Sequence, residues 1–137
     1  MNKIILGKTG IIIEKQGFGC LPVQRISQQD AVYLLHKAYD GGINFFDTAR
    51  AYSDSEQKVG AAFSDMRDHV FLQTRTGAKP AEKFWKDLER ILPTLSTDYI
   101  GIYQFRNPSF SPRPGGEDVL YDAALKQKNR GKSVIFP

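Results

Sequence analysis

The chain has one cysteine and two histidines in 137 residues. A single cysteine excludes an internal disulfide and a cysteine-rich metal site, and it fits a reducing, cytoplasmic setting. No metal site is expected. No apolar run approaches the roughly 20 residues needed to cross a bilayer, and the first residues lack the pattern of a secretory leader, so no membrane role is expected. Lys and Arg outnumber Asp and Glu by 19 to 15, a net charge of +4, but no long basic run concentrates it. The densest basic stretch, Lys126 to Lys132 (KQKNRGK), reads as the cationic end of a helix, so a nucleic-acid partner is not expected. Neither GxGxxG nor a P-loop occurs.

What is present is ordinary for a globular chain: 41% hydrophobic and 25% charged residues, and a length that suits one domain over 1–137. Residues 1–15 hold two apolar runs, Ile4-Ile5-Leu6 and Ile11-Ile12-Ile13, joined by Gly7-Lys8-Thr9-Gly10. Glycines at both ends of so short a link predict a β-hairpin. From 16 onward, strands and helices alternate. QGFGC (16–20) reads as a short strand, with Cys20 as a small buried side chain. Ser27 to Asp30 resembles a capping box, after which Ala31, Leu34, Leu35 and Ala38 recur at helical spacing and Gly41-Gly42 stops the helix. INFFDTA (43–49) has the form of a buried parallel strand.

A short helix starts at Asp54-Ser55-Glu56 and turns Val59, Ala62 and Phe63 inward. HVFLQT (69–74) is the next strand. Pro80 suits a first helical position, and Phe84, Leu88, Ile91, Leu92 and Leu95 give the following helix its buried stripe. YIGIYQF (99–105) is a strand that runs into Arg106 and a turn at Asn107-Pro108. A last helix is expected over about 117–130, with Leu120, Ala124 and Leu125 inward and Gly131 at its end, before SVIFP opens another strand. Units of about 30 residues in strict alternation predict a parallel α/β fold. Asp47, Arg75 and Arg106 fall at or just beyond strand carboxyl ends, where such folds build their sites.

The segments LGKTG, GFG, GINFFDTARAY and SEQKVG, followed by YQFRNPSF and YDAALKQKNRGK, resemble the aldo-keto reductase family in order and spacing. The resemblance is strongest to a bacterial branch carrying DTARAYxDSE and YQFHNPSF. It implies a (β/α)4 half of a TIM (β/α)8 barrel with an N-terminal hairpin, and carbonyl reduction with NADPH bound across the strand carboxyl ends. In this family a tyrosine gives a proton to the carbonyl oxygen while the nicotinamide delivers hydride. A tyrosine's ordinary pKa is about 10, so a lysine paired with an aspartate assists it, and a histidine positions the carbonyl.

By this resemblance Asp47 and Tyr52 occupy two of the four catalytic positions. Arg75 stands at the lysine position and Arg106 at the histidine position. Gly17, Gly19 and Asp47 fall where cofactor contacts are expected. Arg75 keeps a positive charge, but with a longer, planar fork. Arg106 donates hydrogen bonds and cannot exchange a proton near neutral pH. Beside Arg75 it is expected to repel it, and the pair to favour an anion. Gly101, where the family usually has an aspartate, reads as a tolerated strand glycine. His36, on the outer side of its helix, and His69, at the start of a strand, supply no substitute histidine; Arg50 and Asp54 read as loop and cap residues.

Two functional readings follow. One is a truncated aldo-keto reductase-like oxidoreductase that is inactive or needs a partner half-barrel. The other is a non-catalytic oligomeric scaffold or small-anion-binding module. Exposed strand edges predict a homodimer or larger assembly, with a small carbonyl or anionic compound as ligand.

Overall fold

The computed structural model describes residues 2–106, 112–117, 119–129 and 133–135. The turn expected at Asn107-Pro108 and the helix end expected at Gly131 lie outside them. The hairpin forms as the glycines require: β1 (Lys3–Ile5) pairs antiparallel with β2 (Ile12–Glu14), and the link turns at Gly7 (φ 55°) and Gly10 (φ 75°). Ile11 and Ile13 are buried, and the Glu14 amide donates to Asn44 Oδ1 at 2.9 Å, which ties the hairpin to the amino end of the sheet.

Five strands then form one parallel sheet in sequential order: β3 (Phe18–Gly19), β4 (Phe45–Asp47), β5 (Phe71–Thr76), β6 (Ile100–Phe105) and β7 (Ser133–Ile135). The crossover helices are α1 (Gln28–Asp40), α2 (Ser55–Phe63), α3 (Ala81–Thr94) and α4 (Leu120–Asn129). Because parallel crossovers are right-handed, a strand order that never reverses puts every helix on the same face. The sheet is therefore a barrel-type arc with an outer, helix-covered face and an inner face, not a doubly wound sheet.

Residue alternation along the strands matches this division. In β5, Leu72, Thr74 and Thr76 are buried under the helices, while Phe71, Gln73 and Arg75 on the inner face are partly exposed. The outer face carries the core. Phe46 packs on Phe63 with ring centroids 4.5 Å apart, and Phe84 packs on Tyr103 at 4.8 Å. Such tilted aromatic pairs add about 1 kcal/mol each beyond the area they bury.

The structure corrects several sequence expectations. Leu34 is 41% exposed, because Ala31 and Leu35, one turn apart, already fill the buried stripe of α1. His36, by contrast, is exposed as read, with Nε2 2.6 Å from the Ala62 carbonyl oxygen. The strand expected at 69–74 runs Phe71–Thr76, because Ser64–His69 forms a 3-10 helix first; Arg75 is thus inside the strand. Pro80 is not the first helical residue but the extended one before it (ψ 146°). The last helix starts at Leu120, three residues late, and Leu125 is 42% exposed while Leu120 and Ala124 are buried. Asp54 precedes α2 without capping it through its side chain and pairs instead with Lys58. The Ser27 cap forms, with the Asp30 amide donating to Ser27 Oγ at 3.0 Å.

Two glycines are set by close backbone approach. A Cβ on Gly101 would stand 2.9 Å from the Leu72 carbonyl oxygen across the β5–β6 ladder, so this glycine is required here and not merely tolerated. A Cβ on Gly60 would stand 2.5 Å from the Thr94 carbonyl oxygen, where α2 crosses the end of α3. Gly60→Ala is expected to lower stability by about 1–3 kcal/mol through this overpacking, read as a lower urea midpoint. An unchanged midpoint would mean that the two helices separate freely.

Candidate active site

The inner-face residues at the strand carboxyl ends converge. Register pairs Gly19 with Asp47, Asp47 with Gln73, and Arg75 with Gln104. Asp47 Oδ2 accepts from Arg75 Nη2 in an ion pair, and Asp47 Oδ1 accepts from Gln73 Nε2 at 2.8 Å. Gln73 Nε2 also donates to Gln104 Oε1 at 2.9 Å. The Arg106 amide bonds the Thr76 carbonyl at 2.7 Å, which carries the ladder one residue past β6. There the Arg106 guanidinium lies over the Tyr52 ring, 5.0 Å from its centroid, a cation–π contact.

The loop carrying Tyr52 is held by its neighbours at both ends. The Thr48 amide bonds the Gln73 carbonyl at 2.8 Å and the Arg50 amide bonds the Arg75 carbonyl at 2.9 Å. Ser55 Oγ donates to the Cys20 carbonyl at 2.9 Å and lies 2.9 Å from Thr48 Oγ1. The buried Glu56 carboxylate accepts from Arg50 Nη1 at 2.7 Å and from Thr74 Oγ1 at 2.7 Å. Glu56 therefore joins this loop to the outer face of β5, directly behind Arg75.

All four expected catalytic positions, Asp47, Tyr52, Arg75 and Arg106, are thus brought to one strand-end mouth. The expected repulsion between the arginines is relieved by their partners: Arg75 pairs with Asp47, and Arg106 lies on Tyr52. Arg50, read as a plain loop residue, is half of an ion pair with Glu56. Gly19 has no heavy atom within 4 Å of where a Cβ would stand, so it leaves open space beside Asp47. Gly17 is instead packed, a Cβ there lying 2.9 Å from Phe45 Cδ1. Gln73, Gln104 and Glu56 were not singled out in the sequence. Counting back by two from Arg75 and Arg106 would have placed both glutamines on the site face.

Burial raises the Asp47 carboxyl above the usual aspartate range, and the charge and hydrogen bond of Arg75, with the Gln73 amide, oppose that rise. Cys20 lies outside this chemistry. Its backbone amide bonds the Asp47 carbonyl at 2.8 Å, its side chain is fully buried, and burial, with a smaller part from Asp47, pushes its thiol up to about 12. Among the described residues, no group of three His, Cys, Asp or Glu side chains could hold a metal ion, and no helix is long and apolar enough to cross a membrane. A cavity of about 240 Å³, lined by Asn2, Glu14, Gly42 and Ile43 among others, lies at the opposite, amino end of the strands. It shares no residue with the mouth, where the chemistry-bearing side chains gather.

Comparison with known proteins agrees with this architecture. A model of the Aldo/keto reductase family matches residues 3–127. A 6-dehydroglucose reductase of Novosphingobium aromaticivorans is 31% identical over 94% of this chain and 49% of its own length. An L-galactose dehydrogenase of Arabidopsis thaliana is 28% identical over 93% of this chain and 45% of its own. Among solved structures, an aldo-keto reductase from Bacillus halodurans in its holo form superposes with a TM-score of 0.87 at 26% identity, over 97% of this chain and 48% of that one. A Klebsiella pneumoniae aldo-keto reductase in complex with NADPH gives a TM-score of 0.77 at 26% identity, over 89% of this chain and 44% of that one. The chain thus spans about half the length of the relatives it matches, and its sheet is an arc of their TIM-barrel fold.

The Cys20 shift has a checkable sign. The folded state holds the thiol protonated, so its contribution to stability is complete below the ordinary value of 9.0 and fades as pH rises through about 12. At pH 8.5 the native chain is expected to react with iodoacetamide at least about 10³-fold more slowly than the urea-unfolded chain, since thiolate is the reactive form. Mass spectrometry over time reads this; equal rates would show that Cys20 is accessible in the native fold.

Proposed function

Because the chain belongs to the aldo/keto reductase family, we propose that its strand-end mouth is a site of carbonyl reduction that uses NADPH. The observation that carries this reading is the pairing of Asp47 with Arg75 beside the Arg106–Tyr52 stack. A phenol, an ion-paired cation and a cation stacked on that phenol meet where the inner face ends.

The residues fit the reactive end of the cofactor. Gly19 leaves open space at the end of β3, and Asp47 and Arg75 beside it offer an acceptor and a cation. No residue is assigned to the cofactor's phosphates. NADPH, when bound, would supply the hydride. On this reading Tyr52 gives its phenolic proton to the carbonyl oxygen as the carbon gains the hydride, and the resulting tyrosinate is reprotonated from water. Arg106 cannot give up a proton, so its part is electrostatic: it steadies negative charge as it develops on the carbonyl oxygen and on Tyr52. Arg75 holds Asp47 ionised against its burial, and Asp47 in turn fixes the guanidinium in the mouth. Closure of the inner face over the bound substrate is assigned to a second copy of this chain.

The test is NADPH oxidation with a simple aldehyde such as benzaldehyde, with light scattering on the active fraction expected to give a dimer. Tyr52→Phe is expected to lower kcat/KM by about 10²-fold or more, the usual worth of a positioned proton donor. An unchanged rate in Tyr52→Phe would remove the proposed proton route. Absence of turnover in the unmodified chain would favour the scaffold reading, which Arg106 at the histidine position also supports.

A further inference from the structure

The cations at the mouth are partnered unequally. Asp47 neutralises Arg75, while behind the strand, on the outer face, Glu56 is taken up by Arg50 and the buried Asp87 accepts from Thr76. Among the described residues Arg106 has an aromatic face as its contact and no ion pair. Its Nη1 is buried and finds no hydrogen-bond acceptor among the described residues, and the same is true of Arg75 Nε. A guanidinium cannot relieve this by losing its proton. A buried cationic donor without an acceptor is costly, and a planar carboxylate is the partner whose geometry matches the guanidinium fork. A neutral carbonyl oxygen would occupy one donor and leave the charge uncompensated.

From this unmatched donor we propose that the site takes compounds with a carboxylate next to the carbonyl, 2-oxo acids, and that Arg106 binds the carboxylate. Arg106 and Tyr52 are in contact, so one small molecule can place its carboxylate on the guanidinium and its adjacent keto oxygen at the phenol. Arg106 is then a specificity-determining residue, and the arginine at this position exchanges a general carbonyl site for one that requires an anion. The inference rests on the carbonyl-reduction reading for its chemistry but not for binding, and the two can be tested apart.

The probe is phenylglyoxylate, compared with its uncharged amide of nearly the same shape, by calorimetric titration of the full chain. The acid is expected to bind at least tenfold more tightly than the amide. Arg106→Gln is expected to abolish that difference and Arg106→Lys to keep part of it, with circular dichroism confirming that each variant folds. Equal binding of acid and amide, no measurable binding of the acid, or an unchanged preference in folded Arg106→Gln would each overturn the proposal. If Arg106→Gln fails to fold, the acid–amide comparison in the unmodified chain and in Arg106→Lys decides. An acid preference with no NADPH-dependent reduction of either compound would leave the anion site standing and remove the reductase reading. Reduction of benzaldehyde without any preference for the acid would do the reverse.

Discussion

The ion pair between Asp47 and Arg75 is the constraint on which the strand-end mouth depends. Both side chains belong to short strands whose neighbours on either side point under the helices, so their positions are fixed by the sheet before they meet. Burial alone would drive Asp47 toward its neutral form; the guanidinium and the Gln73 amide hold the carboxylate. Without that carboxylate, Arg75 would stand as an uncompensated cation in the same mouth as Arg106. The pair thus shapes the charge of the site as well as its form, and among the described residues Arg106 is the mouth cation without an ion pair.

The strand that carries Arg75 is secured from behind by polar groups. Thr74 donates to the buried Glu56 and Thr76 to the buried Asp87, on the face opposite Gln73 and Arg75. Buried polar groups are expensive unless satisfied, so these bonds favour one register of β5 over its slips. Glu56 also holds Arg50, whose amide bonds the Arg75 carbonyl, so the loop bearing Tyr52 and the strand bearing Arg75 share one anchor. A one-residue slip of β5 would put Gln73 and Arg75 under the helices and lose the mouth entirely.

The architecture was legible in the sequence because its signals are local and periodic. Glycine placement marked the hairpin, the Ser27 box marked α1, and the strict alternation of units marked a parallel sheet. The expected positions of Asp47, Tyr52, Arg75 and Arg106 came from the resemblance of their motifs to the family. Their pairing did not, since which acid compensates which arginine depends on register between strands 26 or more residues apart, such as Asp47 against Gln73. The need for glycine at 60 and 101 was hidden for the same reason: each is set by a backbone from elsewhere in the chain. Leu34 and Leu125 misled because an apolar residue at helical spacing can sit at the flank of a stripe that smaller neighbours already fill.

The most direct test of this account is a double-mutant cycle on the ion pair, with Asp47→Asn, Arg75→Gln and the combination measured by urea unfolding at pH 7. Each single change strands a partly buried partner, so the two losses should not add. The account predicts a coupling of about 1 kcal/mol or more between the two positions. Strictly additive losses would contradict it, because Asp47 and Arg75 would then be stabilised separately and the mouth would not be organised around their pairing.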